Sequence, residues 1–117
     1  MSHTTIWIDH EKAYIFQYEA QAIKEKIVEG QRHADAAHLK KFYHEVATFL
    51  GKPDQVLIVG PGTAKEEFRH HCEEHHHSNL AKVIVGVETM KEHPRKTEIL
   101  DVSRKFFNHH FAWHSVS

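Results

Sequence analysis

The densest run of chemically capable side chains is Arg69 to His77, which reads RHHCEEHHH. Imidazole and thiolate groups bind zinc, and a helix brings His71 and His75, spaced i, i+4, onto neighbouring turns beside Cys72. No CxxC or HExxH signature accompanies them, so a fourth ligand has to come from elsewhere in the chain. The pattern favours a helix with a partly buried Cys72 and His75 and a charged outer face. A metal site at His71, Cys72 and His75 is the alternative.

A second candidate is the turn Gly60-Pro61-Gly62, which lies between an apolar segment and a charged one. A phosphate-binding loop requires Gly-Lys-Ser/Thr at its end, whereas Thr63-Ala64-Lys65 follows here. A dinucleotide-binding turn requires a third glycine, and Lys65 occupies that position. The spacing therefore predicts a tight strand-to-helix turn with glycines at positive φ. Free amides at the helix N-terminus, around Thr63 and Lys65, still suit an anion such as an RNA phosphate.

The composition limits the partners. The 117 residues include 15 basic, 16 acidic and 14 histidine side chains, so affinity for a polyanion should rise as the pH falls toward about 6. The single cysteine excludes an internal disulfide. No apolar run is long enough for a membrane span. We therefore expect one cytoplasmic, soluble domain over residues 1–117, with no membrane partner.

Hydrophobic periodicity changes along the chain and predicts the elements that position these residues. Period-two alternation predicts three strands, the third an edge strand protected by Lys24 and Lys26. Asp35 is the predicted N-cap of the first helix, and Thr63 with Glu66 forms a predicted capping box for the second. The predicted strands are 4–8, 13–18, 22–28, 55–59 and 82–87, and the predicted helices are 35–50, 63–77 and 97–110.

The order β-β-β-α-β-α-β-α predicts an α/β fold. A three-strand antiparallel meander followed by two parallel strands gives a five-stranded mixed sheet with helices on its faces, as in RNase H-like folds. A nuclease of that class needs three carboxylates to hold two metal ions. Asp9 and Glu45 stand at two of the positions, but residues 59–61 supply no third. We predict neither a nuclease nor a cofactor, and Asp9 is predicted to start a turn.

Several segments, in this order, resemble a known family. They are WIDH (Trp7 to His10), LIVGPGTAKEEF (Leu57 to Phe68), KVIVGVETM (Lys82 to Met90), His93-Pro94 and SRKFF (Ser103 to Phe107). They are similar to the middle domain of archaeal and eukaryotic peptide-chain release factors and Pelota, and more closely to small bacterial "translational machinery proteins". The resemblance implies an RNase H-like fold and a role in translation.

In release factors, a Gly-Gly-Gln loop after the third strand promotes hydrolysis of peptidyl-tRNA. The matching place here has Glu29 before Gly30-Gln31, and a carboxylate there would repel the developing oxyanion. We therefore expect a translation-associated domain that binds RNA or the ribosome without clear catalytic chemistry. The expected contacts are Gln31, Arg32 and His33, with Thr63 and Lys65.

Two other functions remain open. One is a dimeric scaffold or metal-responsive protein that uses the His-rich helix 63–77. For such a homodimer, Phe111 and Trp113 in the C-terminal segment either pair two subunits or fold back onto the core. The other is a peptidyl-tRNA hydrolase acting through Gly30-Gln31.

Overall fold

The structure is a computed structural model that describes residues 2–19, 22–75 and 78–116, and the side chains of residue 78 and residues 109–116 lie outside this description. Within these described residues, five strands and four helices follow one another. They are β1 (His3–Ile8), β2 (Lys12–Tyr18), β3 (Ile23–Glu29), α1 (Ala36–Leu50), β4 (Gln55–Gly60), α2 (Ala64–Glu74), α3 (Ser78–Lys82), β5 (Ile84–Thr89) and α4 (Lys96–Val116).

The strands form one sheet in the order β3-β2-β1-β4-β5. β1 and β2 are antiparallel, as are β2 and β3, whereas β4 runs parallel to both β1 and β5. This confirms the predicted α/β fold, with an antiparallel meander, two parallel strands and helices on both faces. It also confirms that the third strand lies at an edge of the sheet.

The predicted helix 63–77 and strand 82–87 differ from the structure. α2 ends at Glu74, because His75 leaves the helical region with φ −112° and ψ 49°. A separate five-residue helix, α3, then carries buried Leu80 into the core and includes Lys82. The last strand therefore starts at Ile84. Burial of Leu80 outweighs the local pattern here, and residues 76 and 77 of the predicted helix lie outside the described residues.

Each face of the sheet has its own core. Helices α1, α2 and α3 cover one face, where Ile6, Ile58 and Val46 pack around Phe68. Helix α4 covers the other face, where Trp7, Leu57 and Phe107 pack together. The central strands β1 and β4 are buried on both sides because both faces are covered. Among the described residues, no helix is both long and apolar enough to span a bilayer.

Three turn residues behave as their types predict. Asp35 Oδ1 accepts a hydrogen bond from the His38 amide at 2.9 Å and so caps α1. Gly51 ends the same helix with a positive φ of 63°. Asp9 Oδ1 accepts the amides of Glu11 and Lys12, each at 2.8 Å, which confirms Asp9 as the residue that starts the first turn.

Candidate functional site

Four connections lie side by side at one edge of the sheet. Strands β1, β3, β4 and β5 run in the same direction, so their carboxyl ends share this edge. The connections that follow them are 9–11, 30–35, 61–63 and 90–95, and we call them together the carboxyl edge. In open α/β sheets, ligands bind at the carboxyl ends of the strands. The predicted contacts around Gln31 and around Thr63 therefore belong to one surface.

Hydrogen bonds join neighbouring connections of the carboxyl edge. The Gly30 amide donates to the Glu11 carbonyl at 2.7 Å, and the Met90 amide donates to the Gly60 carbonyl at 2.9 Å. The indole Nε1 of buried Trp7 donates to the Lys91 carbonyl at 3.1 Å. Connection 30–35 is thus bonded to connection 9–11, and connection 90–95 is bonded to the ends of β1 and β4 along this rim of the sheet.

Three glycines lie on this rim, and a different structural reason accounts for each of them. Gly62 has a positive φ of 45°, as a tight strand-to-helix turn predicts, whereas Gly60 does not. A Cβ on Gly60 would lie 2.2 Å from the carbonyl oxygen of Ile8, so close strand packing requires this glycine. A Cβ on Gly30 would lie 3.1 Å from the Phe42 ring. Packing therefore accounts for the glycine of the Gly30-Gln31 pair.

A partly exposed carboxylate, Glu67, joins three elements next to the turn 61–63. Its Oε1 accepts a hydrogen bond from the Tyr43 hydroxyl of α1 at 2.9 Å. Its Oε2 lies 2.8 Å from Thr63 Oγ1 and 3.1 Å from His10 Nε2 of the first turn. The predicted capping box is therefore wrong, because the Thr63 hydroxyl bonds to the Glu67 side chain rather than to a backbone amide of α2. The four side chains form what we call the Glu67 cluster.

The Glu67 cluster has a defined protonation pattern. Burial raises the pKa of Glu67, but hydrogen bonds with His10, Thr63 and Tyr43 outweigh burial and leave the pKa below its ordinary value. Burial raises the pKa of Tyr43, and both the hydrogen bond to Glu67 and its negative charge raise it further. Glu67 is therefore an ionised acceptor and Tyr43 a neutral donor, so the cluster is a structural brace for the turn 61–63.

The predicted contact residues differ in what they offer a ligand. Gln31, Arg32 and His33 are all exposed, and His33 has a left-handed backbone with φ 54°. Lys65 is only 7% exposed, and its amine donates to the Gly62 carbonyl within its own turn. The Thr63 side chain is engaged by Glu67. The residues that project from the carboxyl edge are thus those of 30–35 rather than those of 61–65.

The predicted contacts leave out a second connection with an exposed arginine, 90–95. His93 and Arg95 are exposed, and His93 has a φ of 48°. His33 and His93 are the two non-glycine residues with positive φ in the described chain, and both lie on the carboxyl edge. Within the same described residues, neither Arg32 nor Arg95 forms an ion pair. The available signal was the position of 90–95 directly after the last predicted strand, which is parallel to its neighbour in the sheet.

Two residues of the His-rich segment, His71 and Cys72, belong to the core, and the other described residues are exposed or half-buried. Cys72 is fully buried and His71 is 6% exposed, with its ring centroid 4.6 Å from that of half-buried His75. Burial, together with the charge of Glu73, raises the pKa of the Cys72 thiol to about 12. No group of three or more possible metal ligands occurs among the described residues. The predicted aromatic contacts of Phe111 and Trp113 fall on side chains outside the described residues.

Comparisons with solved structures agree with this fold. Archaeoglobus fulgidus Pelota aligns with a TM-score of 0.64 and 18% identity over 89% of this chain. The archaeal translation termination factor aRF1 aligns with a TM-score of 0.63 and 16% identity over 97%. S. cerevisiae Dom34, a translation termination-like factor involved in RNA quality control pathways and interacting with Hbs1, aligns with a TM-score of 0.52 and 12% identity over 75%.

The chain spans 31%, 42% and 29% of these three proteins, so it is similar to one part of each. The matches confirm the fold expected from the resemblance to the middle domain of release factors and Pelota. No defined protein family and no curated protein sequence matches the chain.

Proposed function

We propose that this is a cytoplasmic, translation-associated domain that binds RNA on the ribosome through its carboxyl edge. The observation that carries the proposal is a pair of exposed arginines, Arg32 in 30–35 and Arg95 in 90–95, on the carboxyl edge of a fold shared with translation factors. Arg32 and Arg95 neutralise phosphates, and Gln31 donates to a base or sugar.

The spacing of the two connections suits a polymeric ligand. β3 and β5 are the two outer strands, four inter-strand steps apart, which separates their ends by about 19 Å. Successive phosphates of one RNA strand, or phosphates of two strands, can reach both connections. A single small anion cannot. The arrangement therefore favours a nucleic acid over a nucleotide.

Charge also predicts how binding depends on the solution. The chain carries 14 histidines, so its positive charge and its affinity for a polyanion should increase as the pH falls toward about 6. If binding neutralises about three phosphates, the affinity falls roughly 40-fold between about 50 and about 300 mM salt.

The experiment is co-sedimentation of the purified chain with ribosomes and with isolated subunits, over about 50 to about 300 mM salt and at pH about 6 and about 7.5. We expect saturable binding that survives moderate salt and weakens in Arg32→Ala. The matched control is Lys52→Ala, which removes the same charge from an exposed residue at the opposite edge of the sheet, next to the start of β4.

Equal losses in Arg32→Ala and Lys52→Ala would contradict the carboxyl edge as the contact surface, because only net charge would then matter. If the chain does not bind, or binds only at low salt and low pH, then its similarity to translation factors is a similarity of fold and does not support a role in translation. Stoichiometric zinc binding that is lost in His75→Ala would then favour the metal-responsive alternative.

Hydrolysis of peptidyl-tRNA has less support from the geometry. Gly30 is explained by the Phe42 ring, Glu29 precedes it, and the connection 30–35 is only six residues long. Cleavage of a peptidyl-tRNA ester that is lost in Gln31→Ala would nevertheless assign that activity to the same surface.

A further inference from the structure

Strand β3 leaves one of its hydrogen-bonding edges open. It pairs with β2 on one side and is the outermost strand on the other. The Gly30 amide bonds to the Glu11 carbonyl and the Glu19 amide to the Ala22 carbonyl, and each of these pairs is directly opposed in the register. Bonded pairs alternate along an antiparallel ladder, so the even-numbered residues of β3 bond to β2. The outward amides and carbonyls are those of Ile23, Glu25, Ile27 and Glu29.

One face of this open edge is apolar. Ile23 and Ile27 are 48% and 55% exposed, and their register partners on β2 are Tyr18 and Tyr14, which pack with the core under α4. The apolar side chains that pack under α4 therefore extend to the outer edge of β3, where the described chain leaves them exposed.

Two grooves adjoin these isoleucines, between α4 and the sheet. One, of about 290 Å³, is lined by Ile23 with Leu100 and Phe107. The other, of about 220 Å³, is lined by Ile27 with Tyr14 and Ile99. Glu25 is the acidic side chain of β3 that lies between the two isoleucines, and it forms an ion pair with Lys96. Large apolar side chains placed beside the isoleucines have space in both grooves.

The opposite face of the edge is basic. Lys24 and Lys26 alternate with the isoleucines and point to the α1 side, as does their buried neighbour Val28. The Lys26 amine lies 5.9 Å from the centroid of the Phe49 ring, and no ion pair of Lys26 occurs among the described residues. Lys24 has a surface ion pair with Glu19 at 3.2 Å, which contributes little in water.

These charges exclude a second copy of the same strand as a good partner. The antiparallel pairing that places Ile23 opposite Ile27 also places Lys24 opposite Lys26 and Glu25 opposite Glu25. Directly opposed like charges destabilise a strand pair. The edge is thus protected against self-association but is complementary to an acidic strand.

We propose that β3 binds an extended segment of a partner protein, added antiparallel to the sheet, with the pattern apolar-acidic-any-acidic-apolar. The two apolar residues lie beside Ile27 and Ile23, about 13 Å apart, and the two carboxylates lie beside Lys26 and Lys24. Backbone bonds to the outward groups of β3 supply affinity, and the side chains supply specificity. This surface is separate from the carboxyl edge, so the inference does not depend on RNA binding.

The test is a titration of the isotope-labelled full chain with the blocked peptide Thr-Leu-Glu-Thr-Glu-Leu-Thr, followed by amide NMR shifts up to about 2 mM peptide. We expect saturable shifts at the amides of Ile23, Glu25 and Ile27. A peptide with both glutamates replaced by lysine should bind at least about tenfold more weakly.

Two further reagents separate strand addition from charge attraction. Glu25→Pro removes an outward donor without breaking a bond to β2, so it should abolish binding, whereas Glu25→Ala should retain it. A peptide that is N-methylated on its β3-facing amides should not bind. Binding of that peptide, or shifts centred outside β3, would overturn the proposal. The proposal would also be overturned if the shifts did not saturate by about 2 mM peptide. The same holds if the shifts of β3 changed with protein concentration in the absence of peptide.

Discussion

The segment 69–75 and the connection 90–95 carry basic and imidazole groups in similar density, but the fold uses them differently. In 69–75, Cys72 and His71 enter the core of the α1 face, and the remaining charges form surface pairs such as Arg69 with Glu66 at 3.1 Å. In 90–95, His93 and Arg95 project from the end of a strand. Similar residue types therefore lie along a helix that has a buried face in one segment and at a strand end in the other, and only the strand end belongs to the proposed contact surface.

The largest effect that we predict concerns Cys72. A rise in its thiol pKa from 9.0 to about 12 lowers the thiolate fraction near pH 8 roughly a thousandfold. Carboxymethylation by iodoacetate, followed by mass spectrometry, should be slower in the native protein than in denaturant by at least that factor, because the fully buried thiol is also shielded from the reagent. Modification at the rate of a free thiol, or a rate that stoichiometric zinc lowers further, would restore 69–75 as a chemical site.

The second prediction tests the brace behind the carboxyl edge. Glu67→Gln removes an ionised acceptor for Tyr43, Thr63 and His10 and should lower the free energy of unfolding by about 1–2 kcal/mol near neutral pH. Because folding lowers the pKa of Glu67, its contribution is present above the ordinary value of 4.5 and is lost as the pH falls below it. Urea unfolding at several pH values should show the wild type and variant converging in acid.

The control for that variant is Glu66→Gln, whose carboxylate has only a surface pair with Arg69. It should change stability by no more than about 0.5 kcal/mol. An equal effect of the two substitutions would show that the three-element brace contributes no more than an exposed ion pair.

The third prediction concerns the connection that was not foreseen. Arg95→Ala should weaken RNA or ribosome binding about five- to tenfold and lower the salt slope by about 0.7, with stability unchanged. Salt-dependent sedimentation measures both quantities, with Lys52→Ala as the charge-matched control. A loss in Arg32→Ala without one in Arg95→Ala would restrict the contact surface to 30–35.

The smallest effect should come from His70→Ala. His70 is exposed and pairs with Glu74 at 2.9 Å along the surface of α2. Its removal should change the unfolding free energy by less than about 0.5 kcal/mol and leave RNA binding within about twofold. A larger loss of binding would bring 69–75 back into the site and weaken the contrast with 90–95.

Most of the fold followed from periodicity, because the strands and helices each bury a regular set of side chains. Burial of Leu80 and the departure of His75 from helical geometry were not visible in the local pattern, so α3 was missed. The site was less predictable. Arg32 was predicted as a contact, and it is exposed. Lys65 was also predicted as a contact, but its amine turns inward to the Gly62 carbonyl. That orientation depends on tertiary packing, which local spacing does not encode.

The place of β1 in the sheet sets the order in which a nascent chain can complete the domain. β1 lies between β2, which follows it directly, and β4, which comes after the whole of β3 and α1. Until residues 55–60 have been synthesised, one edge of this strand, which is almost wholly buried in the finished sheet, has no native partner. An open strand edge is prone to pair with other chains. Chains that stop before β4 are therefore expected to aggregate, and folding of the whole sheet waits for the second half of the domain.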